Sequence, residues 1–364
     1  MTNLFRLSSE QGQSPWLDNL KRSYITSGEL QAWIDAGIRG LTSNPTIFQK
    51  AIQGSTDYDD QFRDLVGARS SVADAYWEMV AADIRGALDA FEPLYRSSNG
   101  ADGFVSVEVD PNLALDSDGT LTAGRELWTR IARPNLMIKI PATSEGLPAI
   151  RSMIAEGRNV NVTLIFALDR YQNVMDAYLD GLEDRRRSGG SVAGIASVAS
   201  FFISRVDTEI DRRLEEVGSP SALALRGRAA VAQARLAYDA FRRTFSGPRW
   251  ENLRAAGAAV QRPLWASTST KNPAYPDTLY VDELIGPDTV NTLPDSTVTA
   301  FLDHGTVART IDIDIDEARA TWAALGQIID LDDVATRLER EGVTAFQKSF
   351  DELLGALEAK SAEF

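Results

Sequence analysis

Eight short runs with strand character recur along the chain, and longer helical patterns separate them. In order they are "SPWLDN", "RGLTSNP", "FVSVEVD", "NLMIKIP", "VNVTLIF", "SVASFFIS", "PLWASTS" and "TVTAFLDHG". Parallel strands need long crossover connections, which helices supply in right-handed βαβ units. Eight such units predict an α/β fold: a (β/α)8 barrel of the TIM type with additional helices. We expect one domain over residues 1–364, with extra C-terminal helices from about residue 330. A doubly wound open sheet is the competing architecture, but it calls for a Gly-rich phosphate loop after an early strand, and no GxGxxG stands there.

Helix boundaries can be read from residues with a physical reason to be at them. Thr26 and Glu29 have capping-box spacing, and Gly37 stands where a left-handed residue would end that helix. Ser219 and Pro220 form an N-cap and first-turn pair that predicts one long helix through Phe245, with Ala237, Phe241 and Phe245 at four-residue spacing. "VADAYWEMVAADIRGALDAFEPLY" and "ATRLEREGVTAFQKSFDELLGALEA" read as helices too.

Alternate residues of a strand face opposite sides of a sheet. In "LMIKI", Leu136, Ile138 and Ile140 share one face and Met137 and Lys139 the other. The same parity sets Val105, Val107 and Val109 against Ser106, Glu108 and Asp110, and Val160, Val162, Leu164 and Phe166 against Asn161 and Thr163. On the sixth run, Ser200 and Phe202 oppose Ala199, Phe201 and Ile203; on the first, Asp18 points with Trp16. One face is apolar, as helix packing requires. The other gathers ionisable and hydroxyl groups towards the strand C-termini, the end where barrel enzymes keep their chemistry.

A lysine in that position has a chemical use. Fully hydrated, an amine with a pKa of about 10.4 is almost all ammonium at neutral pH, whereas burial penalises the charge. The neutral amine can attack a ketone and form a Schiff base, and the protonated imine then accepts electrons from a neighbouring carbon–carbon bond. Glu108 and Asp18 are the carboxylates placed to move protons.

Composition narrows the alternatives. The net charge of −15 argues against a nucleic-acid or anionic-membrane binder, so an anionic substrate must find a local basic pocket. The absence of cysteine and the single histidine exclude thiolate chemistry and a multi-histidine metal site. No apolar leader opens the chain and no run has the ~18 apolar residues of a membrane span, so a cytoplasmic location is expected.

The segments "LTSNPTIF", "VSVEVDP", "IKIPAT", "NVNVTLIF" and "SVASFFISRVD", in this order, resemble the transaldolase family of the pentose phosphate pathway. The resemblance runs from about residue 14 to the C-terminus. It implies an α/β barrel with a Schiff-base lysine on the fourth strand, matching Lys139. It also implies transfer of a dihydroxyacetone unit from sedoheptulose 7-phosphate to glyceraldehyde 3-phosphate, giving erythrose 4-phosphate and fructose 6-phosphate, with no cofactor and no metal. By motif, Asp18 would take the proton of the C4 hydroxyl, and Glu108 would shuttle protons through a water held by Thr163. Asn44 and Asn161 would bind hydroxyls, Ser200 and Phe202 would contact substrate, and Arg205 would bind phosphate. Where many members have "ASFR", this chain has "ASTSTKNP", which leaves Lys271, then Ser269, as candidates for the second phosphate ligand.

Two rivals differ in class: a non-catalytic barrel used as a binding protein, and a fructose 6-phosphate aldolase-type lyase. The first would be expected to lose Lys139, Glu108 or Asp18, and the second tends to carry tyrosine where Phe202 stands. Sugar phosphates are the expected partners, and the sequence leaves a homodimer open. His304 reads as a turn residue after the last strand, "RRR" at 185–187 as a solvated helix end, and the "NVT" glycosylation pattern at 161–163 as coincidence within a strand.

Overall fold

The computed structural model describes residues 1–363. Its eight strands are β1 (Gln13–Leu17), β2 (Gly40–Thr42), β3 (Phe104–Glu108), β4 (Leu136–Pro141), β5 (Val160–Ile165), β6 (Ser197–Phe202), β7 (Gln261–Ala266) and β8 (Thr289–Leu293). Each pairs in parallel with its sequence neighbours, and β8 returns to β1 to close the barrel. Outward residues such as Val105, Val107, Ile138 and Val162 are fully buried under the helices. The fold is the expected (β/α)8 barrel.

The eighth strand is not where the sequence pattern suggested. All of "TVTAFLDHG" but its last residue lies in a helix, Asp295–His304, with Val298 and Phe301 buried three residues apart, and His304 ends that helix instead of following a strand. The strand is the preceding "TVNTL". Its pattern was hidden because Thr289 and Asn291 are polar yet buried, donating to the carbonyls of Gly286 and Tyr280. Once hydrogen-bonded, such groups can take places that apolar residues usually fill.

Two helix boundaries also differ. Thr26 ends a short helix, Arg22–Thr26, and bonds back to the carbonyl of Arg22; Gly28, with φ of 83°, opens the next, so no capping box forms. Gly37 does end that second helix in a left-handed conformation. Ser219 caps a helix with Pro220 in its first turn, but this helix stops at Leu223. The long helix begins only at Ala229 and runs to Thr244. Its N-terminus is capped from another helix, Ser204–Val217: Asp207 accepts from the Ala230 N–H at 2.7 Å and from Tyr280, while Asp211 accepts from the Gly227 N–H and from Tyr275. A cap brought from a distant element has no local spacing to betray it.

The two ends of the barrel differ in character. At the N-terminal end, Asp102 accepts from Ser14 and Arg39, both at 2.6 Å, and from Arg262 at 3.2 Å. These charges satisfy one another around a cavity of about 450 Å3. At the C-terminal end β5 is irregular: its register with β6 shifts between Val162 and Ile165, and Leu164 is left-handed at φ of 60°. The alternation expected through Phe166 therefore stops at Thr163. A bulge of this kind re-aims side chains at a barrel rim, and Leu164 meets the C-terminal helix, Leu331–Ser361, where a Cβ on Gly342 would come within 2.9 Å of its Cδ2.

Gly40 on β2 supports the fully buried Trp16 indole: a Cβ there would stand 2.5 Å from the ring. Gly40→Ala should cost about 1–3 kcal/mol, the usual penalty of overpacking; an unchanged urea midpoint would mean the indole can slide aside. Burial holds the Asp207 carboxyl up to about 6, against the hydrogen bonds from Tyr280 and Ala230. The folded state thus keeps a proton that the unfolded chain loses near pH 4, and the associated stability is full below that pH and lost as pH rises through about 6. Relative to Asp207→Asn, the wild type should lose roughly 2–2.5 kcal/mol of unfolding free energy between pH 4 and 7. Parallel pH dependences in urea titrations would contradict this.

Candidate active site

Register brings the lysine and the glutamate together. Glu108 ends β3 and pairs with Lys139 on β4, and both side chains point into the barrel. Lys139 Nζ lies 3.0 Å from Glu108 Oε2, with the side chains only 5% and 4% exposed. The contact is an ion pair and not a well-directed hydrogen bond. The ammonium donates instead to the carbonyl of Ser43 at 3.1 Å, and its other neighbour is the ring of Phe346, 5.7 Å away. Burial raises the Glu108 carboxyl above its ordinary value, and the charge of Lys139 opposes that rise.

A cavity of about 350 Å3 opens at this end of the barrel. Lys139, Asp18, Thr163, Asn44, Ser200, Phe202, Arg205, Lys271 and Ser269 all line it; Glu108 and Asn161 stand behind the wall. Asp18 follows β1, and its N–H pairs with the carbonyl of Leu293 on β8. Burial raises its carboxyl, while Lys139, Arg205 and Lys271 pull it down and Asp295 adds to the rise. Asp295 is held beside it by Asn19 at 2.9 Å and by the Tyr24 hydroxyl.

The hydroxyl and amide groups divide between structure and cavity. Asn161 donates to Ser106 Oγ at 2.9 Å and accepts from Ser200 Oγ at 2.7 Å, a chain linking β3, β5 and β6. Asn44 caps the helix Pro45–Gln53 by accepting from the Ile47 N–H at 3.0 Å, which leaves its amide N–H groups to face the cavity. Both Thr42 and Thr163 have buried hydroxyls without a partner among the described residues, and both line the cavity.

The opposite wall is cationic. Arg205, in the first turn of the helix Ser204–Val217, is partly buried beside the Phe202 ring, 5.2 Å away, and forms no ion pair among the described residues. Burial lowers its pKa. Lys271 donates to Ser269 Oγ at 2.6 Å, and its pKa is lowered by burial and then by Arg205. An unpaired guanidinium beside a second cation in a recess is what a doubly charged anion would need. Tyr275 and Tyr280, bonded to Asp211 and Asp207, tie the segment bearing Lys271 to the helix bearing Arg205.

Sequence reasoning missed four residues here: Thr42, Lys50, Ser106 and Phe346. Lys50 follows Asn44 and Ile47 at three-residue steps along one helix face, a spacing that could have found it. Ser106 was placed on the inward face without a role. Phe346, in an apolar stripe with Phe350 and Leu353, carries no local sign of where its helix lies. His304 is exposed and pairs with Asp277 and Asp303, far from these groups in function. No group of three or more metal-ligating side chains occurs among the described residues, and no described helix is long and apolar enough to cross a membrane.

The transaldolase/fructose-6-phosphate aldolase family matches residues 15–357. Relatives include the transaldolase of Parafrankia sp. (strain EAN1pec), 52% identical over 352 residues, which covers 96% of this chain and 95% of that protein. The transaldolases of Frankia alni, 49% identical over 98% of this chain and 97% of its own length, and of Thermobifida fusca, 51% identical over 95% of each, are similar. With the match spanning the barrel and its mouth, the chain belongs to the transaldolase/fructose-6-phosphate aldolase family.

Proposed function

We propose that this chain is a transaldolase moving a dihydroxyacetone unit from sedoheptulose 7-phosphate to glyceraldehyde 3-phosphate through a Schiff base on Lys139. The observation that carries the reading is Lys139, buried against Glu108, opening on the same cavity as Arg205, which forms no ion pair among the described residues. Shifting one proton from Nζ to the carboxylate turns the ion pair into a neutral pair, and burial favours that outcome. The freed amine adds to the ketone at C2. Glu108, through a water held with Thr163, then returns a proton so that the carbinolamine can lose water to the iminium.

Asp18 takes the proton of the C4 hydroxyl as the C3–C4 bond breaks; its electron pair flows into the iminium, leaving an enamine on Lys139 and releasing the aldose. Addition of the enamine to an acceptor aldehyde, with the proton returned by Asp18, runs the steps backwards and frees the new ketose. A carboxyl raised by burial suits both directions, because it binds and yields protons closer to neutrality than a hydrated aspartate. The amide hydrogens of Asn44 orient the hydroxyls, Asn161 acts from behind the wall by holding Ser200 on the cavity, and Arg205, Lys271 and Ser269 hold the phosphate. The curated relatives are named transaldolase, which favours the transferase over the lyase.

Treating the protein with fructose 6-phosphate and borohydride should leave a reduced dihydroxyacetone adduct on Lys139, found by peptide mass spectrometry. An adduct on a different lysine, or none, would overturn the mechanism. Arg205→Ala should lower kcat/KM for fructose 6-phosphate by an amount worth roughly 1.5–3 kcal/mol, the scale of hydrogen bonds to charged groups, and leave unphosphorylated fructose nearly unaffected. Equal losses on both sugars would assign Arg205 to the framework.

A further inference from the structure

Lys139 is covered from above by a residue that belongs to no part of the barrel. Phe346 sits on the C-terminal helix, is 4% exposed, and places its ring centroid 5.7 Å from Nζ. It and Phe202 are the aromatic walls of the cavity. The ring is held in place from several sides. Ser349 pairs with Thr46 at 2.8 Å, Gln49 donates to Glu352 at 2.9 Å, and Asn112 donates to Asp351 at 3.2 Å. Phe350, one turn on, meets Tyr76 edge-to-face at 5.3 Å, and Gly342, one turn before, lies against Leu164 with no room for a Cβ.

We propose that Phe346 is a specificity-determining residue that keeps the lysine-bound dihydroxyacetone unit from water until an acceptor aldehyde arrives. The proposal rests on the Schiff-base reading, and its chemistry follows from where Nζ is. In the covalent intermediate Nζ is the imine nitrogen, directly bonded to C2 of the three-carbon unit, so a ring covering Nζ also covers one approach to C2. Loss of the unit requires a proton on the enamine carbon, giving the iminium, and then a water oxygen on C2. The C2–N bond then breaks, with free dihydroxyacetone released and the amine regenerated. The same single water adds at C2 to free every ketose product, so release is set apart from transfer by its first step, delivery of a proton from water to the enamine carbon, which is bonded to the atom the ring covers. The ring's π face also remains beside a cation, first the ammonium and then the iminium, without supplying the hydroxyl or amide that would seat a water there. The aldehyde approaches from the other side, where Asp18, Arg205 and Lys271 line the cavity.

The test uses the full chain with fructose 6-phosphate, with and without erythrose 4-phosphate. Without acceptor, the wild type should give a stoichiometric burst of glyceraldehyde 3-phosphate followed by slow release of dihydroxyacetone. In Phe346→Ala and in the volume-conserving Phe346→Leu, release relative to transfer should rise roughly tenfold, the scale of one desolvated cation–π contact, while borohydride still traps the adduct on Lys139. Should both release and transfer fall together, with their ratio unchanged and trapping intact in the folded Leu variant, Phe346 is packing alone and the proposal is overturned. Failure to trap any adduct on wild-type Lys139 would instead remove the Schiff-base reading, and this proposal with it.

Discussion

The mouth of the barrel is organised around two opposite charges that share a dry site. Desolvating an ammonium and a carboxylate costs several kcal/mol each, and their attraction repays this only with good geometry and further hydrogen bonds. Here the repayment is incomplete: Lys139 has the Ser43 carbonyl, but Glu108 Oε2 lacks a well-directed donor. Burial accordingly raises the Glu108 carboxyl above its ordinary value, against the pull of the Lys139 charge. The barrel framework supplies what the pair does not, since strand register alone holds the two residues opposite each other. Ser43 belongs to the same arrangement, because its hydroxyl donates to the Ser106 carbonyl on β3 at 2.7 Å.

A second organising constraint is electrostatic and acts over a longer range. A chain of net charge −15 repels sugar phosphates at a distance, at least within the screening length of about 8–10 Å. Arg205, Lys271 and Lys50 create a local exception by gathering on one cavity whose lining holds a single carboxylate, Asp18. The first two come from segments after β6 and β7, which Asp207 and Asp211 tie together through Tyr280 and Tyr275. Those two carboxylates thus organise the cationic wall without touching the cations.

Much of this could be read from the sequence because strand parity is a strict rule. Lys139, Glu108, Asn161, Thr163 and Ser200 fell on the inward face by alternation alone, and the structure brings them together. The rule stops where the backbone leaves the regular pleat, as at Leu164, and where buried polar groups imitate a loop, as in β8. A helix start was legible where the cap lay in the same segment, as with Ser219, and hidden where it came from elsewhere, as with Asp207. The position of the C-terminal helix depends on side-chain contacts with four or more separate elements, and no pattern within its own residues encodes that.

That helix has a consequence for how the protein comes into being. Synthesis proceeds from the N-terminus, and the barrel's eight strands are complete by Leu293, whereas the helix that roofs Lys139 begins at Leu331. All eight strands therefore leave the ribosome before the residues that cover Lys139, and the amine gains its aromatic neighbour, the Phe346 ring 5.7 Å from Nζ, only when that helix docks.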